Sequence, residues 1–412
     1  MRLIMMCPAL AVLAWASPAP ADTVTDWWVL ASRYYNASQA LPGPRAPDMD
    51  RAASRAAIAM FEAVNAIDRH YDSYLHVPAA DPKASQDAAA ATAGYRVLAA
   101  AYPANKAPLD ESYALAMSQI PDGPAREAGL EIGEKAATAA LAVGGIDPAV
   151  AQPSYRPRTS PGEWIGASLP ALDSYWIAFR PWVVASAEAL RPPPPPALGS
   201  AIWARDYEEV RRLGGKTSAE RTPVQNLIAR YRQAFDVTAT VRLATDAPGR
   251  RQVDNARLLA LYQMAYDDAV QQMILAKLHY NFWRPITAIR NGDADGNPAT
   301  QPDPNWTALL ATPNFPEYPC GHCTVAAVIA EVMKSESGLP ASAGVRVASL
   351  VAPSSVDLVL PSWDEWVRQV SLSRTLGGVH YRFSNEAGEK IGRDAARIVI
   401  AGALRPLAKG KR

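Results

Sequence analysis

Apolar residues recur at helical spacing along most of the chain. Within residues 51–71 the apolar positions fall on one helical face, at Ala57, Met60, Phe61, Val64 and Ile67. Comparable stripes, separated by proline and glycine, predict helices at about 84–102, 125–143, 201–213, 253–282, 363–376 and 385–404, with another beginning near 321. The Val/Ile/Thr alternation typical of strands is rare. The pattern predicts an all-α fold.

A run of five prolines, Pro192 to Pro196, interrupts the helical pattern near the middle of the chain. Consecutive prolines cannot continue a helix, and they favour the extended polyproline II conformation. We therefore predict a stiff connector at 192–200. It would join an N-terminal helical bundle, 22–191, to a C-terminal catalytic bundle, 201–412.

The first 21 residues have the features of a secretory signal. Arg2 precedes an apolar run, and Ala19-Pro20-Ala21 supplies a small-residue cleavage site, which predicts export to the periplasm or the medium. No later stretch approaches the roughly 20 apolar residues that a membrane-spanning helix needs. The formal net charge of +1 indicates neither a nucleic-acid partner nor an anionic membrane.

Three short segments in the second half carry five basic side chains. They are Lys277 with Arg284-Pro285, Pro319-Cys320-Gly321-His322, and Ser373-Arg374 with His380. Three permanent cations and two histidines are more positive charge than a buried site tolerates without an anionic partner. Phosphate and vanadate match such a site, and we expect the five side chains to share one pocket.

Local spacing indicates how these segments present their charges. Lys277 and Arg284 are seven residues apart, which would place both on one helical face, about 10.5 Å apart along the axis. Their aromatic neighbours favour a buried site over a solvated charged stripe. Gly321 at a helix start would direct free N–H groups at an anion, with His322 at the same position for acid–base work. Gly377-Gly378 would let the chain turn so that His380 faces the anion bound by Arg374.

Together the three motifs resemble those of the type 2 phosphatidic acid phosphatase and vanadium-dependent haloperoxidase superfamily, and the wider chain resembles its soluble haloperoxidase branch. The motif order Lys-x6-Arg-Pro, Pro-Ser-Gly-His, Ser-Arg-x5-His is kept, with 33 residues (286–318) and then 50 residues (323–372) between motifs. The resemblance implies two packed helical bundles with the active site in the second. Two departures stand out: Cys320 replaces the motif serine, and Ser384 replaces an Asp that would orient the histidine, so that another group must hold it.

The resemblance also implies a role for each motif residue. Lys277, Arg284, Arg374 and the Gly321 amide would hold the oxyanion, and Cys320 occupies the position of a further donor. His380 would be the axial vanadium ligand of a peroxidase or the phosphohistidine nucleophile of a phosphatase. His322 would move protons, and Phe315 would belong to the halide or substrate pocket, at a position resembling the chloroperoxidase type.

The leading functional interpretation is a vanadate-loaded haloperoxidase that oxidises halide with hydrogen peroxide. The alternative in the same fold is a soluble acid phosphatase, which needs no cofactor and acts on phosphoesters. A third interpretation, thiol–disulfide exchange by Cys320 and Cys323, lacks the βαβ pattern that usually accompanies that chemistry. These two cysteines can also close into a disulfide in an oxidising compartment. Halide preference, organic substrate and assembly into a homo-oligomer are left open.

Overall fold

The computed structural model describes residues 22–39, 46–147, 149–150, 155–166, 175–186, 188–351 and 358–408. The predicted signal sequence, 1–21, lies outside the described residues. None of the helices in the described ranges is long and apolar enough to cross a membrane.

The described chain is mostly helical, which confirms the predicted fold class. The first half contains α1 (Thr23–Gln39), α2 (Pro47–Ile67), α3 (Gln86–Ala101), α4 (Lys106–Ser118) and α5 (Pro124–Leu141). The second half contains α6 (Ala201–Leu213), α7 (Pro223–Tyr231), α8 (Thr238–Thr245), α9 (Gln252–Tyr280), α10 (Pro285–Arg290), α11 (Gly321–Glu336), α12 (Trp363–Leu376) and α13 (Arg382–Gly402).

Four two-residue strands form two small antiparallel pairs. β1 (Phe235–Asp236) pairs with β3 (Ala348–Ser349), and β2 (Val345–Arg346) pairs with β4 (Val359–Leu360). β1 matters for the site, because it leads the chain past the start of α11.

Side-chain caps and prolines fix several helix starts. The hydroxyls of Ser85, Ser200 and Ser362 accept backbone N–H groups in the first turns of α3, α6 and α12. Thr222 and Gln225 form a reciprocal capping box at α7. Proline occupies the first turn of α2, α5, α7 and α10, where its missing N–H leaves no bond unmade.

The two halves share one hydrophobic core. Helix α9 packs against α2 of the first half and against α11 and α13 of the second. Accordingly, a single buried cluster contains Phe61 of α2, Leu259 of α9, Ile329 of α11 and Val399 of α13. A separate aromatic cluster surrounds Trp203 and includes Phe282, Tyr318, Tyr381 and Phe383.

The proline run packs against the second half. The hydroxyl of Tyr280 donates to the carbonyl of Pro192, and the hydroxyl of Tyr318 donates to the carbonyl of Pro193 across 2.7 Å. Both tyrosines lie in segments that carry the predicted motifs. The connector is therefore held in place along the catalytic half, which a free spacer would not be, while the domain boundary itself stays a prediction.

Candidate active site

The helix that carries Lys277 ends earlier than its sequence pattern predicts. Helix α9 stops at Tyr280, and Asn281 adopts a left-handed conformation (φ 44°) with its N–H bonded to the Lys277 carbonyl. Arg284 comes after this break, as the N-cap of α10. The prediction that Lys277 and Arg284 lie on one helical face is therefore wrong. The reversal after α9, rather than helical spacing, brings their charged ends together.

Lys277 and Arg284 bind the same loop, residues 315–317. The Lys277 ammonium donates to the carbonyls of Pro316 (2.9 Å) and Glu317 (2.7 Å), and the Arg284 Nε donates to the Phe315 carbonyl (2.9 Å). The Phe315 ring lies 5.1 Å from the Lys277 nitrogen and 4.8 Å from the Arg284 guanidinium carbon. The structure thus places the predicted pocket residue Phe315 directly over two of the predicted cations.

A tight turn after α12 joins Arg374 to His380. The carbonyl of Arg374 accepts the backbone N–H groups of Val379 (3.1 Å) and His380 (3.3 Å). Gly378 makes the turn with φ 75°, and a Cβ atom there would lie 2.4 Å from the Gly214 carbonyl oxygen. Only glycine fits this position, because it combines positive φ with a close backbone approach.

The imidazole of His380 is buried and held at both nitrogens. Its Nδ1 lies 2.7 Å from the Glu317 carboxyl oxygen Oε1, and its Nε2 lies 3.1 Å from the Arg284 Nη1. A guanidinium nitrogen can only donate, so Nε2 accepts and carries the lone pair. The proton is then on Nδ1 and is donated to Glu317. His380 therefore directs its Nε2 lone pair at Arg284, and this hydrogen bond would have to be displaced before Nε2 could bind another atom.

Glu317 is the functional residue that the sequence motifs did not identify. It is fully buried, and its Oε1 also accepts the N–H of Tyr381 across 3.2 Å. Ser384 lies 3.5 Å from His380 Nδ1, too far for a good hydrogen bond. Glu317 thus fills the orienting role that Ser384 cannot. The signals available in the sequence were the missing Asp at 384 and one carboxylate among the aromatic and proline residues 315–319.

Several buried donors in this site have no hydrogen-bond partner in the described part of the chain: Arg284 Nη2, Arg374 Nε and Arg374 Nη1. Burial lowers the pKa of Arg284 to about 10 and that of Arg374 to about 9. Burial, followed by the Arg284 charge, also lowers the pKa of Lys277. Unpaired buried N–H groups and depressed pKa values both indicate cations that need an anion. The residues present therefore fit a vanadate or phosphate group.

The carboxylate that accompanies these cations is itself perturbed. Burial raises the pKa of Glu317 to about 7, although Arg284 and Lys277 act in the opposite direction. One carboxylate cannot neutralise three cations, so the site retains excess positive charge at neutral pH.

His322 stands in the first turn of α11, at the partly exposed side of the site. Its Nε2 lies 2.9 Å from the Gln233 carbonyl and donates to it, which leaves Nδ1 as the acceptor. Burial lowers the pKa of His322 to about 3, with further lowering by Arg374, Arg284 and Lys277. His322 is therefore a neutral base in the anion-free protein.

Exposure distinguishes the two sides of the site. Phe315, Gly321 and His322 are partly exposed, whereas Lys277, Arg284, Glu317, Arg374 and His380 are buried. The side of the site that carries Phe315, Gly321 and His322 is therefore its more open side.

Cys320 and Cys323 form a disulfide at the start of α11. In this form the Cys320 sulfur has no S–H group to donate, so the expected side-chain bond to an oxyanion is lacking. The sulfur instead accepts the Cys323 N–H across 3.2 Å. Both cysteines are fully buried, which does not favour thiol exchange with another protein. Gly321 keeps its predicted place at the helix N-terminus.

Comparison with known proteins tests the family predicted from the motifs. Residues 257–409, which contain all of the residues assigned to the site, match the family model of the VCPO second helical-bundle domain. The predicted resemblance to the vanadium haloperoxidases is confirmed over these residues. The vanadium chloroperoxidase of Curvularia inaequalis is 34% identical over 91 residues, a match that covers 20% of this chain and 14% of that protein.

Solved structures support the fold over nearly the whole chain. A bacterial vanadium-dependent iodoperoxidase superposes with a TM-score of 0.70 at 21% identity, covering 95% of this chain and 97% of the other. An apo-type bacterial vanadium-dependent chloroperoxidase superposes with a TM-score of 0.64 at 14% identity, covering 95% of each chain. At these identities the likeness establishes the haloperoxidase fold.

Proposed function

We propose that this chain is a vanadate-dependent haloperoxidase that oxidises a halide with hydrogen peroxide. The observation that carries the proposal is the set of unpaired buried N–H groups of Arg284 and Arg374, beside a neutral histidine whose Nε2 accepts only an Arg284 N–H that a bound anion could take over. The match of residues 257–409 to the family model and the names of the similar enzymes, which are vanadium haloperoxidases, support the same activity.

Each residue has a defined task in this reaction. Lys277, Arg284 and Arg374 would hold the vanadate oxygens, and His380 Nε2 would bind vanadium. Bound vanadate supplies a Lewis-acid centre that activates peroxide. Glu317 holds the His380 ring through Nδ1, which keeps the lone pair on Nε2 and increases its basicity.

His322 is suited to take a proton from incoming peroxide. It is neutral at pH 7, its Nδ1 is the acceptor, and it stands on the partly exposed side of the site. The cations that depress its pKa would be offset by a bound anion. Its pKa should therefore rise when the site is occupied, which improves it as a proton carrier near neutral pH.

A second candidate, the soluble acid phosphatase, is favoured by the tautomer of His380. A neutral imidazole with its lone pair directed at an anion-binding site is the arrangement that a phosphohistidine nucleophile needs. Phosphate would occupy the same donors, and no cofactor would be required. The two activities therefore differ in what fills the site rather than in which residues form it.

Orthovanadate loading separates the two candidates. Purified protein would be dialysed with orthovanadate and assayed for peroxide-dependent bromination, beside phosphomonoester hydrolysis by the vanadate-free protein. We expect bromination that requires vanadate. Hydrolysis without any bromination would overturn the haloperoxidase proposal.

Two variants assign the histidines. His380→Ala should abolish vanadate binding, whereas His322→Ala should bind vanadate and turn over roughly 10²–10⁴-fold more slowly. His70→Ala is the matched control, because His70 pairs with Asp68 in the first half, away from the motifs. Vanadate binding by His380→Ala at parental affinity would contradict the assignment.

Export is part of the proposal and rests on the signal-like residues 1–21. N-terminal sequencing of the protein from the periplasm or medium should begin at Asp22. A full-length cytoplasmic product would refute this part alone.

A further inference from the structure

A second cavity, of about 170 Å³, lies between α1, α9 and the chain around β1. We refer to it as the tyrosine cavity, because much of its wall is aromatic: Trp28, Tyr35, Phe235, Tyr262 and Tyr266. None of the residues assigned above to the vanadate site lines it. It is therefore a separate site.

The charged side chains that line the tyrosine cavity are carboxylates. Asp50, Asp236 and Asp267 line it, and no Lys, Arg or His does so among the described residues. Asp267 pairs with Arg51 across 3.4 Å, but Arg51 does not line the cavity. Burial, together with the neighbouring Asp267 and Asp50, raises the pKa of Tyr266 to about 12. The carboxylates thus oppose ionisation of a tyrosine in the cavity wall, and the same negative charges favour a bound cation.

Gln263 offers polar groups to a ligand of the cavity. It lines the cavity and is 6% exposed, and its amide forms no hydrogen bond with the described residues. Its polar atoms are not among the fully buried ones that lack a partner, so they have access to the cavity space. A molecule in the cavity could bond to this amide as donor or acceptor.

We propose that the tyrosine cavity binds a small organic ammonium compound that carries a single ring or a short alkyl chain. Aromatic ring faces attract organic cations, and carboxylates beside them add charge complementarity. The volume suits one ring, since a cavity of about 150 Å³ accommodates benzene. Carboxylates in the wall disfavour phosphate and vanadate, so we expect the ligand of this cavity to differ in class from that of the first site.

The position of the cavity suggests what the ligand does. Phe235 lines it and also contacts the His322 ring edge-on, with centroids 6.1 Å apart. Val325, one helical turn after His322, lines it as well. A bound aromatic amine would therefore lie close to the mouth of the vanadate site, where it could accept the oxidised halogen. This acceptor role rests on the proposed function, whereas the binding itself does not.

Binding is measured first, by calorimetry on vanadate-free protein. The probe is 2-phenylethylammonium, and its neutral control is 2-phenylethanol. We expect one equivalent of the ammonium compound to bind, with the alcohol roughly 5- to 30-fold weaker. Absence of saturable binding, or equal affinity for the alcohol, would overturn the proposal without any need for a variant.

Variants then locate the site. Asp236→Asn keeps the oxygen that accepts the Thr238 N–H while removing the charge, and Tyr262→Leu removes one aromatic face. Each should weaken ammonium binding by about 5-fold or more. Asp394→Asn, at a partly buried position on α13, is the matched control and should change nothing. Parental affinity in both cavity variants would place binding elsewhere and refute the proposal.

The acceptor role needs the loaded enzyme. Bromination of tyramine should be faster in the parent than in Tyr262→Leu, while bromide oxidation without an acceptor stays equal. Equal tyramine rates would remove the acceptor role. Absence of bromide oxidation in both proteins would overturn the proposed function and leave the binding result intact.

Discussion

Replacing Glu317 by leucine tests whether a carboxylate distant in sequence holds His380, the proposed vanadium ligand. The change keeps the approximate volume but removes the acceptor of the 2.7 Å bond from His380 Nδ1 and of the 3.2 Å bond from Tyr381. A hydrogen bond to a charged group contributes about 1.5–3 kcal/mol. At 1.36 kcal/mol for each factor of ten, vanadate affinity should fall roughly 10- to 150-fold.

Removing Glu317 also removes the counter-charge of three cations, which acts in the opposite direction on anion binding. Glu317→Gln separates the two effects, because it keeps an acceptor oxygen and loses only the charge. We therefore expect Gln to bind vanadate more tightly than Leu does. Isothermal calorimetry with vanadate measures the affinity of both variants and of the parent. The measurements are made at pH 8, because the pKa of Glu317 is about 7 and its carboxylate is then ionised in the parent.

Glu62→Leu is the matched control for losing a buried carboxylate. Glu62 is also buried and accepts two backbone N–H groups, from Tyr74 and Leu75, but it lies in the first half. It should lower the free energy of unfolding and leave vanadate affinity unchanged. If Glu317→Leu binds vanadate as tightly as Glu317→Gln does, Glu317 does not position His380.

Three further outcomes follow from the same site. Arg374→Met should raise the free energy of unfolding of the vanadate-free protein by about 1–3 kcal/mol, measured in urea, because it removes a buried cation with unpaired donors. The same variant should bind vanadate more weakly. A destabilised variant would contradict this reasoning. Cys320→Ser should restore a hydroxyl donor and tighten vanadate binding, while loss of the disulfide lowers the free energy of unfolding by about 2 kcal/mol. Mass spectrometry should find no free thiol at Cys320 in the parent. Unchanged vanadate affinity in the variant would leave the cysteine without a role in binding. The pKa of His322 is about 3 in the folded protein, so as pH falls below 6.5 this residue is protonated in the unfolded chain before it is protonated in the folded one. The free energy of unfolding should therefore decline between pH 6.5 and 3, by at most about 1.4 kcal/mol per pH unit. His322→Gln should lack this part of the slope, and identical slopes in the variant and the parent would refute the assignment.

The sequence predicted the charged part of the site because buried cations must be matched by an anion. That requirement, together with the order of the three motifs, assigned four residues to one site: Lys277, Arg284, Arg374 and His380. The path of the chain between them could not be predicted. The left-handed conformation of Asn281 ends α9, but it leaves no mark in the apolar pattern of the residues before it. The sequence pattern therefore predicts an end of the helix that is too late.

The role of Glu317 depends on tertiary structure. Its partner His380 is 63 residues away, and no local pattern connects the two. The sequence did show that the carboxylate expected to orient His380 is missing, since Ser384 occupies its position. Helix α4 was not predicted for a similar reason: only Leu109 and Met117 of its 13 residues are buried, which is too few to produce an apolar stripe.

The tyrosine bonds to the proline run bear on how the protein can be divided. A fragment beginning at residue 201 would lose the carbonyl partners of Tyr280 and Tyr318, and it would expose the face of α9 that α2 covers. The matched family domain begins at residue 257, inside α9, so it leaves out the first turn of that helix, together with the proline run and α2 that pack against the second half. Chimeras that exchange the active site between relatives should therefore transfer the prolines and keep α2 and α9 from the same parent.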